Sequence, residues 1–127
     1  MTSPVRVVGL DHIVLVTPDV SRQLEFYTGV LGCTGVRVAE WSRGEVPFPS
    51  VRLDATTLID FLQGEISGVN LNHFCLVVEP TDLDALADGG AVEVASGPTD
   101  GLFGAQGYAR SLYIRDPDGN VIELRSY

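Results

Sequence analysis

Leu10-Asp11-His12-Ile13-Val14-Leu15-Val16 and Leu71-Asn72-His73-Phe74-Cys75-Leu76-Val77 are one phrase written twice, 61 residues apart, and they hold both histidines of the chain. At the same offset Ser50-Val51-Arg52-Leu53 is answered by Ser111-Leu112-Tyr113-Ile114. At an offset of 63, Leu58-Ile59-Asp60-Phe61 is answered by Val121-Ile122-Glu123-Leu124. Self-similarity at a fixed period indicates a repeated supersecondary unit. Each copy opens on a histidine and closes on a carboxylate, 48 residues apart in the first and 50 in the second. If the copies pair about a pseudo-twofold axis, two imidazoles and one or two carboxylates converge, which is a divalent metal site.

A lone histidine on an apolar strand is usually a core residue. Here the equivalence of the two, each with an acidic residue interrupting an apolar strand, favours the metal. An ionised carboxylate inside Val121 to Leu124 needs a partner, because desolvating it alone costs several kcal/mol. A metal cation is one partner; Arg125 or Arg110 is the structural alternative.

Outward from these phrases the chain reads as β-α-β-β-β twice. Strand one spans Gly9 to Val16, with His12, Val14 and Val16 on one face and Ile13 and Leu15 on the other. Asp19 or Ser21 caps a helix from Ser21 to about Leu31, which Gly32 ends. Strands are expected over Cys33 to Trp41, Ser50 to Asp54 and Thr57 to Leu62. After a linker, the second unit has a strand from Leu71 to Val78 and a helix from about Thr81 to Asp88. Strands follow at Ala91 to Ala95, Arg110 to Arg115 and Asn120 to Ser126. Asp116-Pro117-Asp118-Gly119 is expected as a hairpin turn. Gly97 to Tyr108, with four glycines and no periodicity, reads as a mobile loop over the site or a plain surface loop. By parity, Leu112 and Ile114 cover the helix side. Ser111, Tyr113 and Arg52 then face the concave side; an ordinary half-buried tyrosine is the competing account of Tyr113.

The expectation is one α+β domain over residues 1–127, with module one at about 5–63, a linker at 64–70 and module two at about 71–127. With 45 % hydrophobic and 20 % charged residues the composition is that of an ordinary globular domain. No apolar run approaches the ~18 residues of a membrane span, and the N-terminus lacks a signal-peptide core, so a cytoplasmic protein with no membrane partner is expected. A net charge of −9 argues against nucleic acid, which needs a basic surface. All eight basic residues are arginine, which removes Schiff-base chemistry and a lysine base. Cys33 and Cys75 are too few for a disulfide framework. Cys75 shares a strand face with His73 and can approach the site, though buried free cysteine is more often a small core residue.

Leu10-Asp11-His12, Phe26-Tyr27-Thr28-Gly29-Val30-Leu31-Gly32, Asn72-His73 and Asp116-Pro117-Asp118-Gly119-Asn120-Val121-Ile122-Glu123 together resemble the vicinal oxygen chelate superfamily. That group includes glyoxalase, bleomycin-resistance and extradiol dioxygenase proteins, and this chain looks most like its small glyoxalase-domain members. The resemblance implies two βαβββ modules forming a curled mixed sheet around a metal cleft. It implies His12, His73 and Glu123 as ligands of one divalent ion (Zn, Ni, Co, Mn or Fe(II)). Asp60 matches a fourth-ligand position usually held by glutamate or glutamine; it is one methylene shorter. Ser111 and Tyr113 resemble the phosphonate-contacting pair of fosfomycin-resistance enzymes, but Val14 stands where those carry threonine.

With no histidine left after the two ligands, ring cleavage is disfavoured, and the small bleomycin binders typically lack the metal ligands present here. The expected function is a metal-dependent lyase or isomerase of the glyoxalase type, acting on a small vicinal-oxygen-chelating metabolite. Asp60 or Glu123 abstracts a proton to give a metal-stabilised enolate, and Arg52, Ser111 and Tyr113 bind the substrate. The competing readings are a drug-sequestering binding protein and a fosfomycin-type thiol transferase. A homodimer is expected because open sheet edges invite pairing.

Overall fold

Ile13 and Leu15 alternate with His12 and Val14 along β1 (Val7–Thr17), and this alternation decides which face of the first sheet a helix covers. The computed structural model describes residues 3–115, 117 and 119–127. It divides into two compact units: His12–Asn72, and Met1–Asp11 together with His73–Tyr127.

In the first unit, α1 (Val20–Glu25) starts where Asp19 Oδ1 accepts the Arg22 amide at 3.0 Å, satisfying a donor that the helix itself cannot. The helix widens into a π-helical turn, Phe26–Val30, and the chain leaves it through Gly32 at φ +74°. The expected single helix is therefore α-helical for only its first half. Val20, Leu24, Val51, Ile59 and Phe61 form the buried core, with Ile13, Leu15, Tyr27 and Trp41 packed against it. Three strands complete the sheet: β2 (Thr34–Val36), β3 (Ser50–Asp54) and β4 (Thr57–Gln63). Their order is β2-β3-β4-β1. β4 runs parallel to β1 with Leu58 beside His12 and Asp60 beside Val14, and Ser50 lies across from Asp60 on antiparallel β3. Ser50, Asp60 and His12 thus share the face away from the helix.

The strand expected over Cys33 to Trp41 is corrected by the structure. Only Thr34–Val36 is extended; Arg37 turns left-handed at φ 58°, and α2 (Val38–Ser42) follows. Val38 and Trp41, three apart, both pack on the core, a helical spacing hidden in a segment that also alternates.

The second unit repeats the plan. It contains β5 (Leu71–Val78), α3 (Leu83–Asp88), β6 (Glu93–Gly104), β7 (Gly107–Arg115) and β8 (Val121–Arg125). The order β5-β8-β7-β6 is the first unit's order under the repeat. The first strand again lies parallel to the fourth, with Cys75 beside Glu123 and Val77 beside Arg125. Val78, Leu83, Leu86, Leu112 and Leu124 make the core, joined by Ile114 and Ile122. Leu112 and Ile114 therefore face the helix, while Ser111 and Tyr113 face the other way. One topology occurring twice is what an internal duplication leaves behind. The result is a mixed α+β fold with eight strands and few helices.

Gly97 to Tyr108 is not a loop. β6 runs to Gly104 and pairs antiparallel with β7, with register shifts between Ser96 and Thr99 and between Thr99 and Leu102. Gly97 (φ +93°) and Gly101 (φ +69°) sit within those shifts, where bulges need a backbone that other residues adopt at a cost. The expected turn at Asp116-Pro117-Asp118-Gly119 rests on Asp116 and Asp118, which lie outside the described residues. Among the described residues no helix is long and apolar enough to cross a membrane.

Candidate functional site

Strand β8 carries Glu123 between Cys75 on β5 and Tyr113 on β7, with only 1 % of its surface exposed. A carboxylate so placed must be compensated, and its two oxygens are compensated differently. Oε2 accepts Ser111 Oγ at 2.7 Å, Arg125 Nε at 3.2 Å and Arg125 Nη2 at 2.5 Å. Oε1 is turned toward His73 Nε2, 3.1 Å away. The His73 ring meets Tyr113 edge-on, with centroids 5.3 Å apart. Burial, and then the Glu123 charge, push the Tyr113 phenol well above the usual tyrosine range.

Arg125 is itself fully buried. Burial works against its charge, but Glu123 outweighs that and raises its pKa further. The rest of the guanidinium reaches the end of the β6–β7 hairpin. Nη1 donates to the Leu102 carbonyl at 3.2 Å, the Gly107 carbonyl at 3.4 Å and Tyr127 Oη at 3.3 Å, and Nη2 donates to the Phe103 carbonyl at 3.0 Å. Tyr127 Oη donates to Asp11 Oδ1 at 2.5 Å and accepts the Gln106 amide at 3.2 Å. Asp11, fully buried, takes the Ala105 amide on Oδ2 at 2.9 Å. Burial, and then the bond to Asp11, push the Tyr127 phenol up to about 12.

The first unit holds the repeat-equivalent set. Ser50 Oγ donates to Asp60 Oδ1 at 2.5 Å, and Asp60 Oδ2 lies 3.7 Å from His12 Nε2, with all three residues buried. That separation is too long for a hydrogen bond. Two residues beyond Asp60 the chain has Leu62, where two beyond Glu123 it has Arg125.

Of the residues singled out in the sequence, His73, Glu123, Ser111 and Tyr113 are thus brought together in one unit, and His12 and Asp60 in the other. Arg52 shares a strand with Ser50, but its Nη1 donates to the carbonyls of Asp54 and Ala55 at 3.2 and 3.1 Å, in the β3–β4 turn. Between the two arginine alternatives, Arg125 partners Glu123, whereas Arg110 pairs with Asp84 and Asp100 at the surface. Cys75 is fully buried. Sequence reading missed Asp11 and Tyr127 altogether. The inward turn of Arg125 had a signal in its strand parity with Glu123.

The model of the Glyoxalase/Bleomycin resistance protein/Dioxygenase superfamily matches residues 9–124. The chain belongs to that superfamily. A glyoxalase domain-containing protein of Mycosarcoma maydis is 30% identical over 126 residues, spanning 94% of this chain and 68% of the relative. A virulence protein of Salmonella typhimurium is 28% identical over 122 residues, spanning 93% and 83%. Among solved structures, methylmalonyl-CoA epimerase of Streptomyces coelicolor superposes with a TM-score of 0.67 at 21% identity, covering 94% of this chain and 97% of that one. A 2,3-dioxygenase from a Pseudomonas strain gives 0.65 at 22% identity, covering 95% and 43%. At such identities the likeness is one of fold. A fold shared with both an epimerase and a dioxygenase does not by itself name a reaction.

Proposed function

We propose that this superfamily domain is a metal-dependent lyase or isomerase of the glyoxalase type, acting on a small metabolite with two adjacent oxygens. The observation that carries the reading is the division of labour within Glu123. One oxygen is held by Ser111 and Arg125, and the other is turned to His73 Nε2 at 3.1 Å. Two donors on one zinc-like ion, at bond lengths near 2.0–2.2 Å and angles of 90–109°, stand about 2.9–3.5 Å apart. The His73–Glu123 spacing, which is also that of a hydrogen bond, falls in that range, and the 3.7 Å between His12 and Asp60 lies just beyond it. Asp60 is also shorter by one methylene, ~1.5 Å of reach against a ligand-distance tolerance of ~0.2 Å. The reading therefore takes His12, His73 and Glu123 as ligands, with two imidazoles and a carboxylate suiting Zn, Ni, Co, Mn or Fe(II).

A bound ion supplies stabilisation of the negative charge that grows on paired substrate oxygens as a neighbouring C–H proton leaves. Asp60 receives that proton on Oδ2, while Ser50 holds Oδ1 and fixes the carboxylate plane. Tyr113, beside His73, orients the substrate. Ser111, fully buried and donating to Glu123, acts on the ligand rather than on the substrate. The same reading includes a homodimer, because β2 ends the strand order of one unit and β6 that of the other, and end strands offer unpaired backbone groups.

Elemental analysis and solvent-deuterium exchange on a panel of vicinally oxygenated metabolites test this. Wild-type protein should hold one divalent ion per site and catalyse exchange. His12→Ala, His73→Ala and Glu123→Gln should lose the ion, and Asp60→Asn should keep it while losing exchange. Metal lost from Asp60→Asn but kept by Glu123→Gln would overturn the assignment.

A further inference from the structure

We infer that Arg125 is the positioning residue of Glu123: it selects the oxygen presented to His73 and ties that choice to the β6–β7 hairpin. The inference rests on the reading of Glu123 as a ligand. Nε and Nη2 both donate to the same oxygen, Oε2. Together with Ser111 on that oxygen, they hold the carboxylate against rotation about its last bond. The remaining donors leave the carboxylate and gather the carbonyls of Leu102, Phe103 and Gly107 and the hydroxyl of Tyr127.

The hairpin is shaped around this side chain. A Cβ at Gly104 would stand against Arg125 Nη1 and Tyr127 Oη, so a larger residue there would displace the ends of both side chains. A planar fork with five donors spread over three nitrogens can reach the carboxylate, three carbonyls and a hydroxyl at once; an ammonium, with three donors on one nitrogen, cannot reach them all. If the arginine only neutralised a buried charge, either Glu123 oxygen would serve. The observed arrangement loads one oxygen and directs the other at a histidine. Groups that orient a metal ligand from behind typically change metal affinity 10–100-fold when altered.

Zinc titration of the protein against a chromogenic chelator decides the matter. Arg125→Lys keeps the charge and removes the fork, and its zinc affinity should fall by about 10–100-fold while its circular dichroism stays native. A folded Arg125→Lys protein with wild-type zinc affinity and only a lower melting temperature would overturn the inference. A second measurement needs neither that variant nor zinc. In metal-free Glu123→Gln the clamp loses its charged anchor, so the amides of Ala105 and Gln106 should exchange with deuterium at least ~threefold faster than in wild type. Unchanged exchange there would equally overturn it. Should wild-type protein bind none of zinc, nickel, cobalt, manganese and iron(II), the ligand reading fails by itself, and the exchange comparison still decides whether Arg125 ties Glu123 to the hairpin.

Discussion

Two buried carboxylates at equivalent places in a repeat have met the same physical demand with different partners. Glu123 has a serine, an arginine and a histidine around it; Asp60 has a serine and a more distant histidine. Removing Ser111 or Ser50 as alanine withdraws a hydrogen bond from a buried anion, worth about 1.5–3 kcal/mol. The loss should be the smaller at Ser111, where Arg125 also holds the oxygen; urea denaturation of the two variants reads this directly. Tyr127 gives a prediction in pH. Its folded pKa is raised to about 12 by burial and by Asp11, above the ordinary value of ~10. The stability it contributes is therefore fully present below ~10 and lost as pH rises through 12. Tyr127→Phe should flatten the alkaline decline between those limits, and parallel curves for the two proteins would refute it. At this scale the sequence was informative where parity operates. Ser111 and Tyr113 fall on one face and Leu112 and Ile114 on the other because a strand alternates. Asp11 was out of reach of such reasoning, since Tyr127 meets it across 116 positions of chain.

Among the elements, the legible ones are those whose apolar pattern had one period. Ser50–Asp54 and Leu71–Val78 were bounded as observed. Glycine between Cys33 and Trp41 gave no break in the alternation, so the left-handed Arg37 and the short helix after it were hidden. The β6–β7 hairpin failed for the opposite reason, because repeated register shifts erased the two-residue period of strands that are nevertheless paired. The first helix start was readable from Asp19, weighed there beside Ser21; the second helix, expected from about Thr81, begins at Leu83 behind a cap at Asp82 that was not foreseen. Asp82 Oδ1 accepts the Ala85 amide at 3.0 Å, as Asp19 does for Arg22. Asp19→Ala and Asp82→Ala should each cost about 1 kcal/mol in chemical denaturation. Leu112→Ala, in the fully buried core of the second unit, should cost about 2–5 kcal/mol.

For the whole molecule, the duplication is legible in the repeated phrases alone, and the matching strand orders are its physical counterpart. The expected homodimer can be checked by sedimentation at micromolar concentration, where a metal-replete monomer would exclude it. The chain's two compact units also have an arrangement that no linker reading anticipates. The second is gathered from both ends of the chain, and the boundary falls at the peptide bond between Asp11 and His12 within β1. A gene severed in the 64–70 segment would give a C-terminal fragment without Asp11, leaving the Ala105 amide and Tyr127 hydroxyl without the carboxylate they share. Such halves should not fold when expressed separately. A circular permutant that joins Tyr127 to the old N-terminus and opens at His12 would instead carry each unit as one uninterrupted stretch of polypeptide. Whether it folds measures how much the covalent continuity of a single strand contributes beyond the pairing of its neighbours.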